Sequence, residues 1–350
     1  MSGLRWFLLP ISLVYGIFTW LRNKLFDWHI LPSKSFSIPT IGIGNINSGG
    51  TGKTPHVEYL AKLLSGQYNI AILSRGYGRK TKGFLQVLPT HTALEVGDEP
   101  LMYCTKLPQV IVAVHEQRVR GIEEINQRFP DVNLILLDDA FQHRFVKPSI
   151  NILLTEYYNP FFKDSMLPFG RLREYKSGAK RADMLVVTKT PAVFPILARK
   201  HFLRQVSKYA FEKVFFSKVD HCAWVDIKGE KVVPSDKFGT ILLVTGIANT
   251  YVLEEHLKGY CNELMVSSFG DHYQFNEADL TKIRSAFGNI IGKNKAIVMT
   301  EKDFVRIKEA KLITILEDLP VYIVPIIIVF HQNRTTTFDD FIKKQLTTAK

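Results

Sequence analysis

A chain of 350 residues, 46% hydrophobic and 22% charged, is long enough for two domains, because single cores seldom grow past about 250–300 residues. That composition excludes a disordered chain. The formal net charge of +12 points to a polyanionic partner without choosing among nucleic acid, an anionic membrane and a phosphorylated substrate. Cys104, Cys222 and Cys261 form no CxxC pair, which excludes a disulfide or zinc framework and leaves buried thiols in a reducing compartment.

The first feature along the chain is an uncharged, mostly apolar run over residues 6–21, flanked by Arg5 and by Arg22 and Lys24. It is shorter than the roughly 20 apolar residues a span needs, and no small-x-small site follows, so a secretory signal is not expected. Trp6, Trp20 and Trp28 lie here among basic residues, as rings at a headgroup layer do. The reading is an in-plane, monotopic anchor helix. The alternatives are a core-packed first helix and a true transmembrane span.

After Pro32, apolar runs predict strands over 40–44, 69–74, 109–114, 132–137, 150–154 and 184–188, with helices over 54–64 and 117–128 between them. Such alternation implies a mostly parallel sheet covered on both faces. Residues 223–227 and 231–233 flank Lys228-Gly229-Glu230 and read as a β-hairpin. A second α/β series follows, with strands over 240–244, 295–300 and 321–329, and the last residues, 347–350, are expected to fray.

The first strand runs into Gly44-Asn45-Ile46-Asn47-Ser48-Gly49-Gly50-Thr51-Gly52-Lys53-Thr54, and a helix follows. Glycines let backbone N–H groups turn inward on a phosphate, and the helix N-terminus adds its dipole. Asn47, Ser48, Gly49, Gly50, Thr51, Gly52, Lys53 and Thr54 are therefore the expected nucleotide-binding residues. Lys53 is placed to reach the β/γ-phosphates and the Thr54 hydroxyl to ligate Mg²⁺. The usual GxxxxGK[ST] pattern has glycine where Asn47 stands. The strand over 132–137 ends in Asp138-Asp139, a Walker-B form, so Thr54, Asp138 and Asp139 are the expected metal ligands. The domain reading is an apolar anchor region over 1–31, a P-loop domain over 32–221, a hairpin linker over 222–235, and a smaller C-terminal α/β domain over 236–350.

Four more polar clusters lie where ligands bind such sheets. They are Ser74-Arg75-Gly76-Tyr77-Gly78-Arg79, Val96-Gly97-Asp98-Glu99-Pro100, Phe141-Gln142-His143-Arg144 and Leu167-Pro168-Phe169-Gly170-Arg171-Leu172-Arg173-Glu174. With Thr245-Gly246-Ile247, Asp271-His272 and Thr300-Glu301-Lys302-Asp303 in the second half, this set resembles the tetraacyldisaccharide 4'-kinases, the lipid A 4'-kinase family, over nearly the whole chain. Two departures stand out: Ala140 replaces a usual glycine and Tyr273 a usual second histidine.

The resemblance implies a kinase that transfers the ATP γ-phosphate to the 4'-hydroxyl of an acylated glucosamine disaccharide 1-phosphate, forming lipid IVA. It implies an α/β fold, a P-loop NTPase-like domain with a smaller C-terminal domain, and an active site between them. It also implies a peripheral or monotopic protein on the cytoplasmic face of the bacterial inner membrane. Its catalytic Asp–His pair maps onto Asp98 and His272. A sugar hydroxyl is a poor nucleophile, so a carboxylate such as Asp98 is expected to take its proton. Arg75, Glu99, Arg118, Gln142, His143, Arg171 and Glu174 are the expected contacts to substrate or phosphate. A switch ATPase would also carry the loop, but commonly has a lysine where Ser48 stands. No recognition motif or stacking pattern points to nucleic acid.

Overall fold

The computed structural model describes residues 4–234, 236–247, 250–270, 273–332 and 336–348. The strands are β1 (Thr40–Asn45), β2 (Ile70–Ser74), β3 (Leu85–Gln86), β4 (Ile111–Val114), β5 (Leu134–Leu137), β6 (Ile150–Glu156), β7 (Met184–Thr188), β8 (Lys213–His221), β9 (Trp224–Asp226), β10 (Lys231–Val232), β11 (Phe238–Thr245), β12 (Cys261–Ser268), β13 (Lys295–Thr300), β14 (Val321–Val324) and β15 (Ile326–Phe330). The helices are α1 (Leu9–Asp27), α2 (Lys53–Leu64), α3 (Ala93–Val96), α4 (Asp98–Lys106), α5 (Arg118–Arg128), α6 (Ile196–Val206), α7 (Tyr251–Leu257), α8 (Glu277–Asn289), α9 (Glu301–Glu309) and α10 (Phe338–Thr348). The chain divides into two compact units, one of Met1–His91, Glu99–Lys218 and Ile328–Lys350, the other of Thr92–Asp98 and Val219–Ile327.

In the first unit the sheet order is β15-β8-β7-β6-β1-β5-β2-β4-β3. From β8 to β4 every neighbour is parallel, and β3 closes the edge antiparallel. Every residue of β1, β2, β5 and β7 is buried, which is why these strands read as unbroken apolar runs rather than alternating ones. β1 pairs in parallel with β5, so their carboxyl ends, carrying the glycine loop and Asp138-Asp139, emerge on the same edge of the sheet.

The second unit has its own sheet, β10-β9-β14-β13-β11-β12, with the β9–β10 pair antiparallel as the expected hairpin. Leu242, Leu280, Ile283, Phe287 and Ile297 fill one core of this unit. Trp224, Ile241, Leu243 and Val298 fill another.

Two sequence expectations differ from the structure. The apolar run over 321–329 is two strands in different sheets, divided at Pro325, which has no N–H to continue a ladder. The C-terminal residues, expected in the smaller domain, count with the first unit from Ile328 onward. Aromatic packing accounts for this. Phe338 stacks on Phe330 at 4.0 Å and meets Phe215 edge-on, and Tyr59 of α2 donates to Asp339 at 2.7 Å.

Helix α1 turns polar groups inward along most of its length: Ser12 accepts from the Phe169 N–H at 2.8 Å, Tyr15 donates to the Arg173 carbonyl at 2.9 Å, and Asn23 donates to Glu174 at 2.9 Å. Near its end Phe26 is buried edge-on against Phe145. Ile11, Val14, Ile17, Phe18 and Trp20 are exposed. Gly16 is required by close approach, since a Cβ there would sit 2.7 Å from the Tyr175 hydroxyl. Among the described residues no helix is long and apolar enough to cross a membrane.

Candidate active site

The glycine loop links β1 to α2. Gly49 and Gly52 take left-handed φ values of 110° and 86°, open to glycine at no steric cost. Several contacts hold the loop in shape. Asn45 donates to the Thr51 hydroxyl at 2.8 Å, and the Thr188 hydroxyl donates to the Thr51 carbonyl at 3.0 Å. His56 lies between the Gly52 carbonyl (2.7 Å) and the Ser217 hydroxyl (3.0 Å). Burial lowers its pKa to about 4, so the ring is neutral, donating from Nδ1 to the carbonyl and accepting at Nε2. Asn47 donates to Asp164 at 3.0 Å, and the Ser48 N–H bonds the Arg171 carbonyl at 2.6 Å.

Lys53 sits 3.6 Å from Asp139 and 3.4 Å from the Asn45 side-chain oxygen. The Thr54 hydroxyl donates to Glu99 at 2.7 Å. Asp138 is buried. Ser74 donates to one of its oxygens at 3.2 Å, while the other, Oδ1, has no hydrogen-bond partner among the described residues. Burial, with Glu99 and Asp139 beside it, raises the Asp138 carboxyl to about 7. Asp139 goes the other way: burial would raise it, but Lys53 and Arg173 hold it below the usual carboxylate value. Gly44 lets β1 approach the acidic turn, because a Cβ would stand 2.6 Å from Phe141. Ala140 occupies its position with an ordinary φ and joins the core.

The expected substrate contacts fall into two groups. Arg118 is a buried brace, donating to the carbonyls of His115 (3.1 Å) and Asp138 (2.5 Å), with burial pulling its pKa to about 10. Gln142 donates to the Asn45 carbonyl (2.7 Å) and to Glu174 (3.1 Å), and Arg181 also pairs with Glu174. Gln142 and Glu174 thus tie the base of the loop to α1. Arg75, following β2, is exposed, and Arg171 is half exposed against Asp164 at 2.9 Å. His143 is kept neutral by burial, with Arg118 and Arg75 pushing the same way to about 4. Sequence reasoning passed over Arg173, which grips Asp139 at 3.0 and 3.2 Å. Its place in the Leu167–Glu174 cluster was the available signal.

A cavity of about 830 Å³ lies between α1 and the segment 164–177, with Leu13, Ile17, Trp20, Phe169 and Leu172 in its wall.

Asp98 ends the Thr92–Asp98 segment of the second unit. There Arg306 donates to its Oδ2 through Nε (3.1 Å) and a terminal nitrogen (3.0 Å). His272 lies outside the described residues. Tyr273 donates to Asp279 at 3.1 Å beside the cap of α8, a structural use of that position.

The profile of the LpxK family, Tetraacyldisaccharide-1-P 4'-kinase, matches residues 4–347. The chain belongs to this family. A tetraacyldisaccharide 4'-kinase of Bacteroides thetaiotaomicron is 41% identical over 352 residues, covering 97% of this chain and 92% of the relative. One of Flavobacterium psychrophilum is 44% identical over 312 residues, covering 88% and 89%. The crystal structure of LpxK from Aquifex aeolicus in complex with ATP superposes with a TM-score of 0.73 at 27% identity, over 99% of both chains.

Proposed function

We propose that this kinase-family chain transfers the γ-phosphate of ATP to the 4'-hydroxyl of a tetraacylated glucosamine disaccharide 1-phosphate, forming lipid IVA. The observation that carries the reading is the P-loop with Lys53 set between Asn45 and Asp139, in a chain that matches the family over residues 4–347. The N–H groups of Gly49, Gly50 and Gly52 receive the ATP phosphates, and Lys53 supplies a point charge at the β/γ-phosphates.

The acidic site suits a divalent cation: Asp138 Oδ1 is buried without a hydrogen-bond partner among the described residues, in a carboxyl already pushed up by burial and its acidic neighbours. Thr54, Asp138 and Asp139 are the residues that would hold Mg²⁺, and Mg²⁺ there would neutralise charge on the transferring phosphate. Asp98 takes the proton of the acceptor hydroxyl as the new O–P bond forms. The role of His272 as its partner rests on the family resemblance. Arg75 and Arg171 are exposed cations suited to substrate phosphate.

The outward apolar face of α1, with Ile17 61% and Phe18 69% exposed, supports a peripheral or monotopic seat on a membrane, and its place on the cytoplasmic face of the inner membrane rests on the family resemblance. The apolar wall of the adjoining cavity suits acyl chains.

The test is purified protein with ATP, Mg²⁺ and the lipid disaccharide in detergent, with products resolved by mass. One added phosphate on the lipid is expected with wild type and none with a folded Lys53→Ala variant. ATP turnover indifferent to the lipid, with no phosphorylated lipid formed, would overturn the reading.

A further inference from the structure

We infer that Arg306, anchored by Asp303, is the positioning residue that sets the carboxylate of Asp98 for proton transfer, an inference that rests on the reading of Asp98 as the base. It gives a task to two segments, Thr245-Gly246 and Thr300–Asp303, that no step of the reaction has yet used.

The network is built from Asp303 outward. Its side chain is fully buried. Its Oδ2 accepts from the Thr300 hydroxyl at 2.6 Å and from the Gly246 N–H at 3.1 Å, so groups at the ends of β13 and β11 fix the carboxylate. Gly246 is small for a reason: a Cβ would lie 3.0 Å from Asp303 Oδ1. Thr300 also caps α9 by accepting from the Asp303 N–H at 3.3 Å. Three residues on, Arg306 falls on the same helix face and its NH1 faces both Asp303 Oδ1 and the Gly246 carbonyl at 3.4 Å.

The guanidinium is a rigid planar fork. With one edge anchored inside the unit, its other edge presents Nε and NH2 to a single oxygen of Asp98. Arg306 is 2% exposed, and Asp98, at 24%, is the more accessible partner. Burying an arginine carries a desolvation cost that an apolar side chain at this position would avoid. The arrangement makes sense for placing a carboxylate. Two N–H donors on Oδ2 fix its rotamer and plane. The carboxylate so placed is the group assigned to receive the proton. The acceptor hydroxyl then forms its bond to the γ-phosphorus, the bond from that phosphorus to the β-phosphate bridging oxygen breaks, and ADP leaves.

The experiment compares Arg306→Lys, Arg306→Gln, Asp98→Asn and the Asp98→Asn/Arg306→Gln double variant, with folding checked by melting and ATP affinity measured separately. Arg306→Lys keeps a buried charge opposite Asp303, so it tests positioning even if the glutamine variant melts early. A misplaced base loses on the order of 100-fold in kcat. We expect that loss for Arg306→Gln, a smaller one for Arg306→Lys, and ATP affinity within a factor of two of wild type. The double variant should be no slower than Asp98→Asn alone, because the arginine acts through the aspartate. Wild-type kcat in folded Arg306→Lys and Arg306→Gln, with Asp98→Asn inactive, overturns the inference and leaves the base intact. A fast Asp98→Asn variant overturns the base itself. Losses that multiply in the double variant show that Arg306 does not act through Asp98.

Discussion

Asp138 is held in a place that costs its charged form. Burial, with Glu99 and Asp139 nearby, raises its carboxyl from 3.8 to about 7, so the folded chain binds a proton that the unfolded chain has released. A raised acid contributes stability fully below its unfolded pKa, and that contribution is lost as pH rises from about 4 through about 7. Asp138→Asn keeps an oxygen to accept from Ser74 and removes the charge. Without cation or nucleotide, the variant should melt above wild type at pH 8, by about 2–4 °C per kcal/mol gained. The difference should shrink as pH falls through 7 towards 4, and phosphoryl transfer should be lost. A variant that melts below wild type at pH 8, or a gap that ignores pH, would contradict this account. The placing of these two acids beside the glycine loop was legible because they end an apolar strand, and that strand pairs in parallel with β1. Their different electrostatic surroundings were not, since these depend on Arg173 and Lys53 reaching Asp139 through space.

At the scale of elements, α1 shows why pattern alone left its surroundings open. Its apolar length was plain in the sequence, but an apolar helix reads the same whether its greasy side faces a core or faces outward. The contacts decide the inward face: Ser12, Tyr15 and Asn23 bond the first unit, and Gly16 fits beneath Tyr175. Substitutions on the two faces should therefore separate. Val14→Glu with Phe18→Glu should leave melting nearly unchanged and sharply reduce sedimentation with anionic phospholipid vesicles. Gly16→Val should destabilise by about 1–3 kcal/mol through overpacking. Equal vesicle binding by the double glutamate variant would rule out the outward face as an anchor. The strands missed along the chain have an equally local cause. β12 runs at an edge with most of its residues exposed or half exposed, so it lacks the unbroken apolar run that marked β1 or β5.

For the whole molecule, the order of segments in space departs from their order in sequence. A reader of the chain places the last domain at the C-terminus, because nothing local in residues 328–348 says they return. The return is a tertiary fact: β15 lies beside β8 in the first sheet, and Phe338, Phe341, Ile342 and Leu346 of α10 are buried. The long segment Val219–Ile327 is thus an insertion between two neighbouring strands. Neighbouring strands lie about 4.8 Å apart, a gap that a short Gly/Ser loop spans, so Lys218 can be joined to Ile328 with the insertion removed. The shortened chain keeps Lys53, Thr54, Asp138 and Asp139 with their described contacts. It should fold cooperatively and bind ATP with an affinity within about tenfold of the full chain. It should not phosphorylate the lipid disaccharide, having lost Arg306 and Asp303 behind Asp98. A complementary truncation after Gln332 removes α10 and exposes its aromatic seat on Phe330 and Phe215. That chain should lose several kcal/mol of stability and lose ATP binding with it. The measurements are melting and nucleotide titration on both. If the chain lacking 219–327 unfolds while the one lacking α10 stays folded and binds ATP, the insertion reading fails and the nucleotide site depends on the second unit for its fold.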